Sequence, residues 1–360
     1  MRIASFETMA VRIPREPGPS APREEADYVT LRLRTDDGIE GIAYAGFAST
    51  LVTKALKETV DALAAETVGT DPHAVEAIGR SLARKAGGGS PAGLVTRAIS
   101  AIDVALWDIR GKALGMPVWK LLGAASGSVP TYASGFLWRH YDLEALATAA
   151  ADLAGQGFRA MKFRMGAEAS ADAELARLRT MREAAGPDVD LMVDINQGWD
   201  VNRAITVGRG MAEYGLFWLE DPVHFQDYAG LARIADALDT PIAAGEYHYG
   251  VEPFRHMLEA RSIDIVMVDL LRVGGITQWM KAAYMAEAYN LPVVTHLAPE
   301  ILGHALAAAP NGLYVEHMPW AFALFEEVPQ LDPATGRLVM PDEPGLGLRF
   351  DEARISASAL

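Results

Sequence analysis

Short apolar runs alternate with amphipathic stretches along most of the chain, and this pattern predicts strands followed by helices. Three consecutive runs, LMVDIN, LFWLEDP and PIAAGE, each lead to a carboxylate. The three acids are Asp194, Glu220 and Glu246, and successive ones lie 26 residues apart. A repeat of that length fits one strand, one helix and two loops, which is the unit of a parallel barrel.

Eight such runs follow Gly123, separated by helical stretches. They are VPTYAS, AMKFRMG, LMVDIN, LFWLED, PIAAGE, DIVMVDL, LPVVTHL and LYVEHM. Eight runs favour an α/β fold built as a TIM barrel. A doubly wound sheet is the alternative, but it would gather fewer strand ends around one centre.

The residues before the barrel have a different pattern. The first 50 or so alternate as strands do, and Asp37-Gly38 between two such runs predicts a hairpin. From about 51 to 122 the pattern is helical, with Ile99, Ile102, Leu106 and Ile109 on one helix face. Asp103 and Asp108 in that helix are interpreted as solvent-facing or capping groups. After about residue 325 the alternation stops, and this turn-rich tail is expected to return to the N-terminal region.

One early loop, VRIPREPGPSAPREEADY, is rich in proline, glycine and charge and contains Arg12, Arg15 and Arg23. Its charges are interpreted first as solvated surface groups. The alternative is a lid that closes over an anionic substrate.

Composition narrows the function. The 360-residue chain is 50% hydrophobic, which is enough for a barrel and a smaller second domain. Its net charge of −15 argues against binding to nucleic acid. An anionic substrate would therefore need local cations or a metal ion. The lack of cysteine excludes thiol catalysis, disulfides and cysteine zinc sites.

Targeting signals are not evident. The N-terminal MRIASFETMAVRIPREPG lacks the continuous apolar core of a signal peptide, and no apolar run is long enough to span a bilayer. We therefore expect a cytoplasmic protein without a membrane partner.

Polar residues at the predicted strand ends form the candidate site, because a barrel places catalytic groups at the carboxyl ends of its strands. They are Lys162, Arg164, Asp194, Asn196, Glu220, Glu246, Asp269, His296 and Glu316. A single acid after a strand is often only the cap of the next helix. Three acids at one repeat would repel one another unless a cation held them, and an all-oxygen set suits Mg²⁺.

The other strand-end residues predict acid–base chemistry. Asp269 ends the strand before His296, so its carboxylate can fix the tautomer of the imidazole and raise its basicity. Lys162 and Arg164 share one strand face and would be costly as mere packing. We interpret them as partners of a substrate carboxylate or of the acids, and Glu316 as a hydrogen-bond donor or ion-pair partner. A metal, cations and a histidine base suit removal of a proton next to a carboxylate, which forms an enediolate.

Several longer motifs resemble the mandelate racemase branch of the enolase superfamily over nearly the whole chain. They are ISAIDVALWDIRGKALGMPVWKLLGA before the barrel, VDIN at 193–196, WLEDP at 218–222, AAGE at 243–246, DLLRVGGITQWMKAA at 269–283, THLAPE at 295–300 and YVEHM at 314–318. The combination is highly specific, although a single acid or WLEDP alone is not.

The resemblance implies a fold and a set of roles. It implies a (β/α)7β-type TIM barrel at 126–325 and an α+β capping domain at 1–125, completed by the tail at 326–360. It implies one Mg²⁺ per subunit bound by Asp194, Glu220 and Glu246. It also implies a His296–Asp269 base dyad, a substrate carboxylate bound by Glu316, and a homo-oligomer, from dimer to octamer.

One departure from the family pattern bears on the reaction. The racemase has Lys-x-Lys on the second barrel strand, where this chain has Lys162-Phe163-Arg164. Arginine stays protonated and is a poor general base, so two-base racemisation is disfavoured. A one-base reaction of His296 fits better, and in this branch it is most often dehydration of a sugar acid to a 2-keto-3-deoxy acid. Lys162 and Arg164 would then hold the carboxylate and stabilise the enediolate.

Two other functions stay open. One is a racemase or epimerase of a 2-hydroxy acid with Arg164 as an unusual base, and the other is a barrel that binds a metal and an acid without turnover. The acid that protonates the leaving hydroxyl is His296 itself or, less favoured, Tyr247 or His248. Asn196, Tyr247, His248 and Arg15 are further candidates for substrate binding. The segments 14–27 and 45–52 are expected to choose the sugar acid, but they carry no readable code.

Overall fold

The structure is a computed structural model that describes residues 1–14, 25–47 and 49–360. Arg15, Arg23 and most of the loop interpreted as a surface loop or lid lie outside the described residues. No helix in the described ranges is long and apolar enough to cross a membrane.

The N-terminal part forms an antiparallel sheet covered by helices. Its strands, in the order β1-β2-β3, are β1 (Ile3–Pro14), β2 (Glu25–Thr35) and β3 (Glu40–Ala45). Its helices are α1 (Thr53–Ala65), α2 (Val75–Lys85), α3 (Gly93–Leu114) and α4 (Val118–Leu121), with short 3-10 turns at Thr50–Val52 and Gly87–Gly89. The predicted hairpin is confirmed, since Gly38 takes a φ of +88° between β2 and β3.

The barrel strands coincide with the eight predicted apolar runs. They are β4 (Ser128–Ala133), β5 (Ala160–Arg164), β6 (Asp190–Asp194), β7 (Leu216–Glu220), β8 (Ile242–Ala244), β9 (Ile265–Asp269), β10 (Val293–His296) and β11 (Gly312–His317). They pair in sequence order, all parallel, and β11 pairs with β4. The sheet therefore closes into a barrel, which confirms the predicted fold class.

Helices connect each barrel strand to the next. They are α5 (Leu143–Gly155), α6 (Ala171–Ala185), α7 (Val201–Met211), α8 (Tyr228–Ala237), α9 (Glu252–Glu259), α10 (Leu270–Val273), α11 (Ile276–Ala288) and α12 (Pro299–Ala308), with a 3-10 turn at Ala212–Tyr214. The side chains of Asp142, Ser170, Asp200 and Asp227 accept backbone N–H bonds at the starts of α5 to α8. Such caps satisfy donors that the first helical turn leaves unpaired.

After β11 the chain forms a 3-10 turn at Phe322–Leu324 and then the hairpin of β12 (Gln330–Asp332) and β13 (Arg337–Val339), which pairs with β4. The last helix is α13 (Glu352–Ala357), and beyond it Leu360 donates a backbone hydrogen bond to Ala10 in β1. The tail therefore contacts both the barrel and the N-terminal sheet. The domain limits 1–125, 126–325 and 326–360 stay a prediction.

Of the two interpretations of Asp103 and Asp108, the solvent-facing one is wrong, because both are buried in α3, whereas the capping one describes Asp103. Asp103 accepts the N–H of Thr277 at 3.0 Å, at the start of α11. Asp108 accepts the N–H groups of Ile42 and Leu346 at 2.9 and 2.8 Å. A helix pattern alone does not reveal such partners, because they come from segments far away in the chain.

Candidate active site at the carboxyl end of the barrel

The alternation of strand residues places the site directly above the barrel core. The buried cluster inside the barrel includes Tyr132, Ala160, Met192, Trp218, Met267 and Val294. Side chains two residues apart on a strand point to the same side. The residues two positions further on are Ser134, Lys162, Asp194, Glu220, Asp269 and His296, and all are buried. The period of the strands therefore carries these polar groups to one end of the barrel.

His296 and Asp269 form a close pair. They are register partners on β10 and β9, and His296 Nδ1 lies 2.7 Å from Asp269 Oδ2. Burial would raise the pKa of Asp269, but the charge of Arg272 and the bond from His296 outweigh it and hold that pKa below its ordinary value. Burial lowers the pKa of His296, while Glu246 and the Asp269 bond raise it by more. Because His296 Nε2 lies 3.1 Å from Glu246 Oε2, the free edge of the imidazole faces the acids.

Lys162 lies between two carboxylates. Its Nζ is 2.5 Å from Glu220 Oε1 and 2.9 Å from Glu316 Oε1, and none of the three side chains is exposed to solvent. Burial disfavours the charged lysine, but Glu220 and Glu316 together raise its pKa well above the ordinary value. Burial would also raise the pKa of Glu316, yet Lys162 and His296 lower it to about 2. Lys162 and Glu316 therefore form a buried ion pair.

The acids that converge most closely are Glu220, Asp221 and Glu246, each of which offers an oxygen within 4.8 Å of the others. Burial, together with repulsion from Asp194, Glu246 and Glu316, raises the pKa of Glu220 to about 8 despite Lys162. Burial and repulsion from Glu246 and Glu220 also raise the pKa of Asp221 well above its ordinary value. Each of these carboxylates therefore makes the charged form of its neighbours less favourable.

Asp194 also lies at the carboxyl end of the barrel strands, which we call the rim, as the register partner of Glu220. Its two oxygens accept bonds from the backbone and side-chain nitrogens of Asn196, each at 2.7 Å. It is not in the closely convergent group, so its predicted role as a ligand stays a prediction.

Several buried polar atoms at this rim have no hydrogen-bond partner among the described residues. They include both carboxylate oxygens of Asp221, Ser134 Oγ and Arg164 Nη1. Buried polar groups normally have partners, and exceptions mark a place where an ion or ligand binds. Because the unsatisfied carboxylate lies with two others that repel it, the donor set fits a hard divalent cation such as Mg²⁺.

Arg164 packs against the ring of Trp138. Its guanidinium carbon lies 4.4 Å from the ring centroid of Trp138, and its Nε lies 3.6 Å from Asp194 Oδ2. Trp138 in turn stacks on Trp320 with centroids 6.3 Å apart and planes 10° from parallel. The arginine is therefore held as a fixed cation beside the acids.

The secondary candidates lie in different surroundings. His248 is buried in an aromatic cage of Phe225, Tyr228 and Phe254, and burial lowers its pKa to about 4. Its Nε2 is buried without a hydrogen-bond partner among the described residues, so its role as an acid or a substrate contact stays a prediction. Tyr247 packs against Arg272, and burial raises its pKa. Arg15 lies outside the described residues.

Sequence reasoning missed Ser134, Asp221, Arg272 and Arg139, which all lie at the rim. Asp221 follows Glu220 directly, so strand alternation would turn it away, but β7 ends at Glu220 and Asp221 takes a φ of +41°. Its place in WLEDP was the available signal. Arg272 donates to the Glu246 carbonyl at 2.7 Å, and Arg139 donates to Asn196 Oδ1 at 2.6 Å. No spacing rule marked either arginine.

The barrel and its antiparallel cap define a class of protein, and two family matches identify it. Residues 7–123 match the family described as "Mandelate racemase / muconate lactonizing enzyme, N-terminal domain", and residues 144–354 match "Enolase C-terminal domain-like". The chain belongs to the mandelate racemase/muconate lactonizing enzyme branch of the enolase superfamily, which confirms the resemblance seen in its motifs.

Among individual relatives, L-talarate/galactarate dehydratase of Salmonella typhimurium is 33% identical over 337 residues, which cover 93% of this chain and 83% of the relative. The 3,6-anhydro-alpha-L-galactonate cycloisomerase of Streptomyces coelicolor is 31% identical over 345 residues, which cover 93% of this chain and 92% of the relative. An enolase from alpha pretobacterium bal199, solved with bound Mg, superposes with a TM-score of 0.93 at 30% identity, covering 100% of this chain and 99% of that one. The structure of the Salmonella dehydratase, liganded with Mg and L-lyxarohydroxamate, superposes with a TM-score of 0.92 at 29% identity. The match covers 100% of this chain and 93% of that one.

Proposed function

We propose that this protein is a Mg²⁺-dependent dehydratase that converts a sugar acid into a 2-keto-3-deoxy acid. The observation that carries the proposal is the His296–Asp269 pair, because Nε2 of the same imidazole lies 3.1 Å from Glu246 Oε2 in the carboxylate cluster. The names of relatives support the choice of reaction, since they include dehydratases of talarate or galactarate, arabinonate and xylonate. Two structural neighbours are described with bound Mg.

The residues that would hold the cation are Glu220 and Glu246, which belong to both the predicted set and the convergent group. Asp194 is the predicted third ligand, and Asp221 is a further one that the geometry adds. When bound, Mg²⁺ supplies positive charge next to the substrate carboxylate and so makes the neighbouring C–H bond more acidic.

His296 acts as the base. With its Nδ1–H donated to Asp269, the lone pair is on Nε2, where it can accept the α-proton. The electrons of the C–H bond then form the enediolate. Loss of the β-hydroxyl as water, with the proton that His296 holds, leaves an enol that becomes the keto product. A single base can serve both steps on one face of the substrate.

Lys162 and Arg164 stabilise the negative charge on the substrate carboxylate. Lys162 remains protonated between Glu220 and Glu316, and a guanidinium cannot lose its proton at working pH. Glu316 accepts the N–H of Leu297 at 2.6 Å, directly after His296, and so also fixes the strand end that carries the base. Neither cation is suited to act as a second general base, and two-base racemisation needs one. The racemase alternative is therefore disfavoured.

The test is a screen of aldonates and aldarates with Mg²⁺ for 2-keto-3-deoxy products. Turnover of at least one acid is expected, and failure of every acid with a folded, Mg²⁺-loaded protein would contradict the proposal. The same incubation in D₂O distinguishes the racemase, which would return substrate that is inverted and deuterated at C2.

We further propose a homo-oligomer, as the family resemblance implies, and the cytoplasmic location stays a prediction. Light scattering coupled to gel filtration measures the mass directly, and a mass of 38.7 kDa in solution would contradict the oligomer.

A further inference from the structure

The loop that follows β4 brings a second arginine to the rim. Arg139 Nη2 donates to Asn196 Oδ1 at 2.6 Å, and Asn196 Nδ2 donates to Asp194 Oδ2 at 2.7 Å. The guanidinium of Arg139 is therefore one side chain away from a carboxylate of the candidate metal site.

Arg139 lacks a counter-ion among the described residues. Its Nε is buried without an acceptor among the described residues, and its Nη2 donates to a neutral amide. The Nε of Arg203 is also buried without an acceptor, but Arg203 differs from Arg139 in having a carboxylate nearby, since its Nη2 lies 3.6 Å from Glu174 Oε1. A buried donor without an acceptor is unfavourable by about 1–3 kcal/mol, so a ligand that supplied the acceptor would gain from it.

The loop that carries Arg139 is held in place before any ligand binds. The neighbouring Trp138 packs between the Arg164 guanidinium and the Trp320 ring. The guanidinium of Arg139 is itself held through the bond from its Nη2 to Asn196 Oδ1, and a guanidinium presents a planar fork of donors that matches a carboxylate. Pre-organisation of this kind lowers the entropy that binding must offset.

The charge of the rim indicates which anion Arg139 accepts. The carboxylate next to the reacting carbon is assigned to Lys162 and Arg164, and the remaining rim contains Asp194, Glu220, Asp221 and Glu246. A second carboxylate on the substrate would be repelled there unless a cation received it. We infer that Arg139 binds a distal carboxylate of the substrate, so that the preferred substrates are diacids (aldarates) and not monoacids (aldonates). This inference rests on the proposed function.

The test compares acids that differ only at C6, such as galactarate with galactonate and glucarate with gluconate. The wild-type protein is expected to prefer the diacid of an accepted pair. Arg139→Gln should lower kcat/KM for that diacid by about 10- to 100-fold, the value of one charged hydrogen-bonded contact, and change the monoacid by less than about threefold. Arg233→Gln, at an exposed position on α8, is the matched control and should leave both values unchanged.

A purely structural role gives a different result. If Arg139 only oriented Asn196, Arg139→Gln would reduce diacid and monoacid alike, as Asn196→Ala should. Equal losses, or a wild-type preference for the monoacid, would overturn the inference while leaving the dehydratase intact.

Binding provides a readout without turnover. In a His296→Asn background with Mg²⁺, calorimetry should show tighter binding of the diacid, and Arg139→Gln should remove the difference. Equal affinity for both acids would overturn the inference even if no acid were turned over. Turnover failure of both acid classes would instead count against the proposed function.

Discussion

Asp108 and Asp221 are both fully buried, but one lies between the N-terminal helices and the tail and the other at the barrel rim. Asp108 receives the N–H groups of Ile42 and Leu346 and the Nζ of Lys112 at 2.7 Å. The carboxylate of Asp221 receives no hydrogen bond from the described residues and lies among other carboxylates. Burial raises the pKa of both groups.

The difference separates structure from function. A buried carboxylate with three donors is satisfied by the fold and ties distant segments together. A buried carboxylate with none, next to like charges, leaves an arrangement that only a ligand completes, which is typical of functional sites. Substitutions at the rim should therefore lower activity and leave the stability of the fold unchanged. Substitutions at Asp108 should lower stability and leave the activity of the folded protein unchanged.

The largest effect is expected from Asp269→Asn. Asp269 Oδ1 accepts the N–H of Arg272 at 2.7 Å, so the asparagine oxygen should keep that bond and direct its NH₂ at His296. His296 Nδ1 must then accept, the proton moves to Nε2, and the base is lost. We expect kcat to fall by about three to four orders of magnitude with unchanged thermal stability.

Asp351→Asn is a control for this change, because Asp351 caps α13 far along the chain and its loss should not alter kcat. Wild-type kcat in Asp269→Asn would show that the histidine does not depend on its partner.

Asp108→Asn should show the opposite behaviour. The amide cannot accept from both backbone N–H groups and Lys112 at once, so a buried donor loses its partner. We expect a loss of about 3 kcal/mol in the free energy of unfolding by urea. The kcat of the folded fraction should stay within twofold of wild type, and a large fall in kcat with normal stability would break the comparison.

Mg²⁺ should stabilise the protein through the rim. Binding to the native state alone adds about 2.7 kcal/mol at a free concentration one hundred times Kd. Thermal unfolding should therefore shift upward with Mg²⁺ in the wild type and in Asp108→Asn, but not in Glu246→Gln. Equal shifts in all three proteins would place the cation elsewhere.

A smaller effect is expected at the buried interface as pH falls. His304 in α12 accepts the N–H of Trp119 at Nδ1 and faces the Leu346 carbonyl with Nε2, and burial lowers its pKa to about 4. Below the ordinary pKa of 6.5, His304 binds a proton in the unfolded chain but stays neutral in the folded protein. Stability is therefore lost as pH falls from 6.5 towards 4.

Between pH 7 and pH 5 this contribution amounts to about 2 kcal/mol, from 1.36 kcal/mol per pKa unit. Urea unfolding of His304→Gln should lose that part of the pH dependence. His256→Gln, at a half-exposed position, should keep the wild-type profile. An identical slope in His304→Gln would contradict the assigned cause.

The fold and most of the rim could be predicted because they depend on local periodicity. Apolar runs gave the eight strands, and acids at the ends of neighbouring parallel strands had to meet. The His296–Asp269 pair followed from a spacing of 27 residues, which brings both to the same level of adjacent strands.

The features that sequence missed depend on backbone turns and distant contacts. The φ of +41° at Asp221 brings its carboxylate to the cluster, and no strand or helix period encodes it. Arg139 lies in an irregular loop whose partner, Asn196, is 57 residues away. Asp108 was interpreted as a solvent-facing or capping group, and its actual partner Leu346 is 238 residues away.

The most direct test of the account follows the C2 proton of an accepted sugar acid by NMR, with Mg²⁺ in D₂O, for the wild type and for His296→Asn. The wild type should consume the acid and form the keto product. His296→Asn should bind the acid but neither exchange its C2 proton nor form product. Loss of that proton at the wild-type rate without the imidazole would contradict the central claim that His296 removes it.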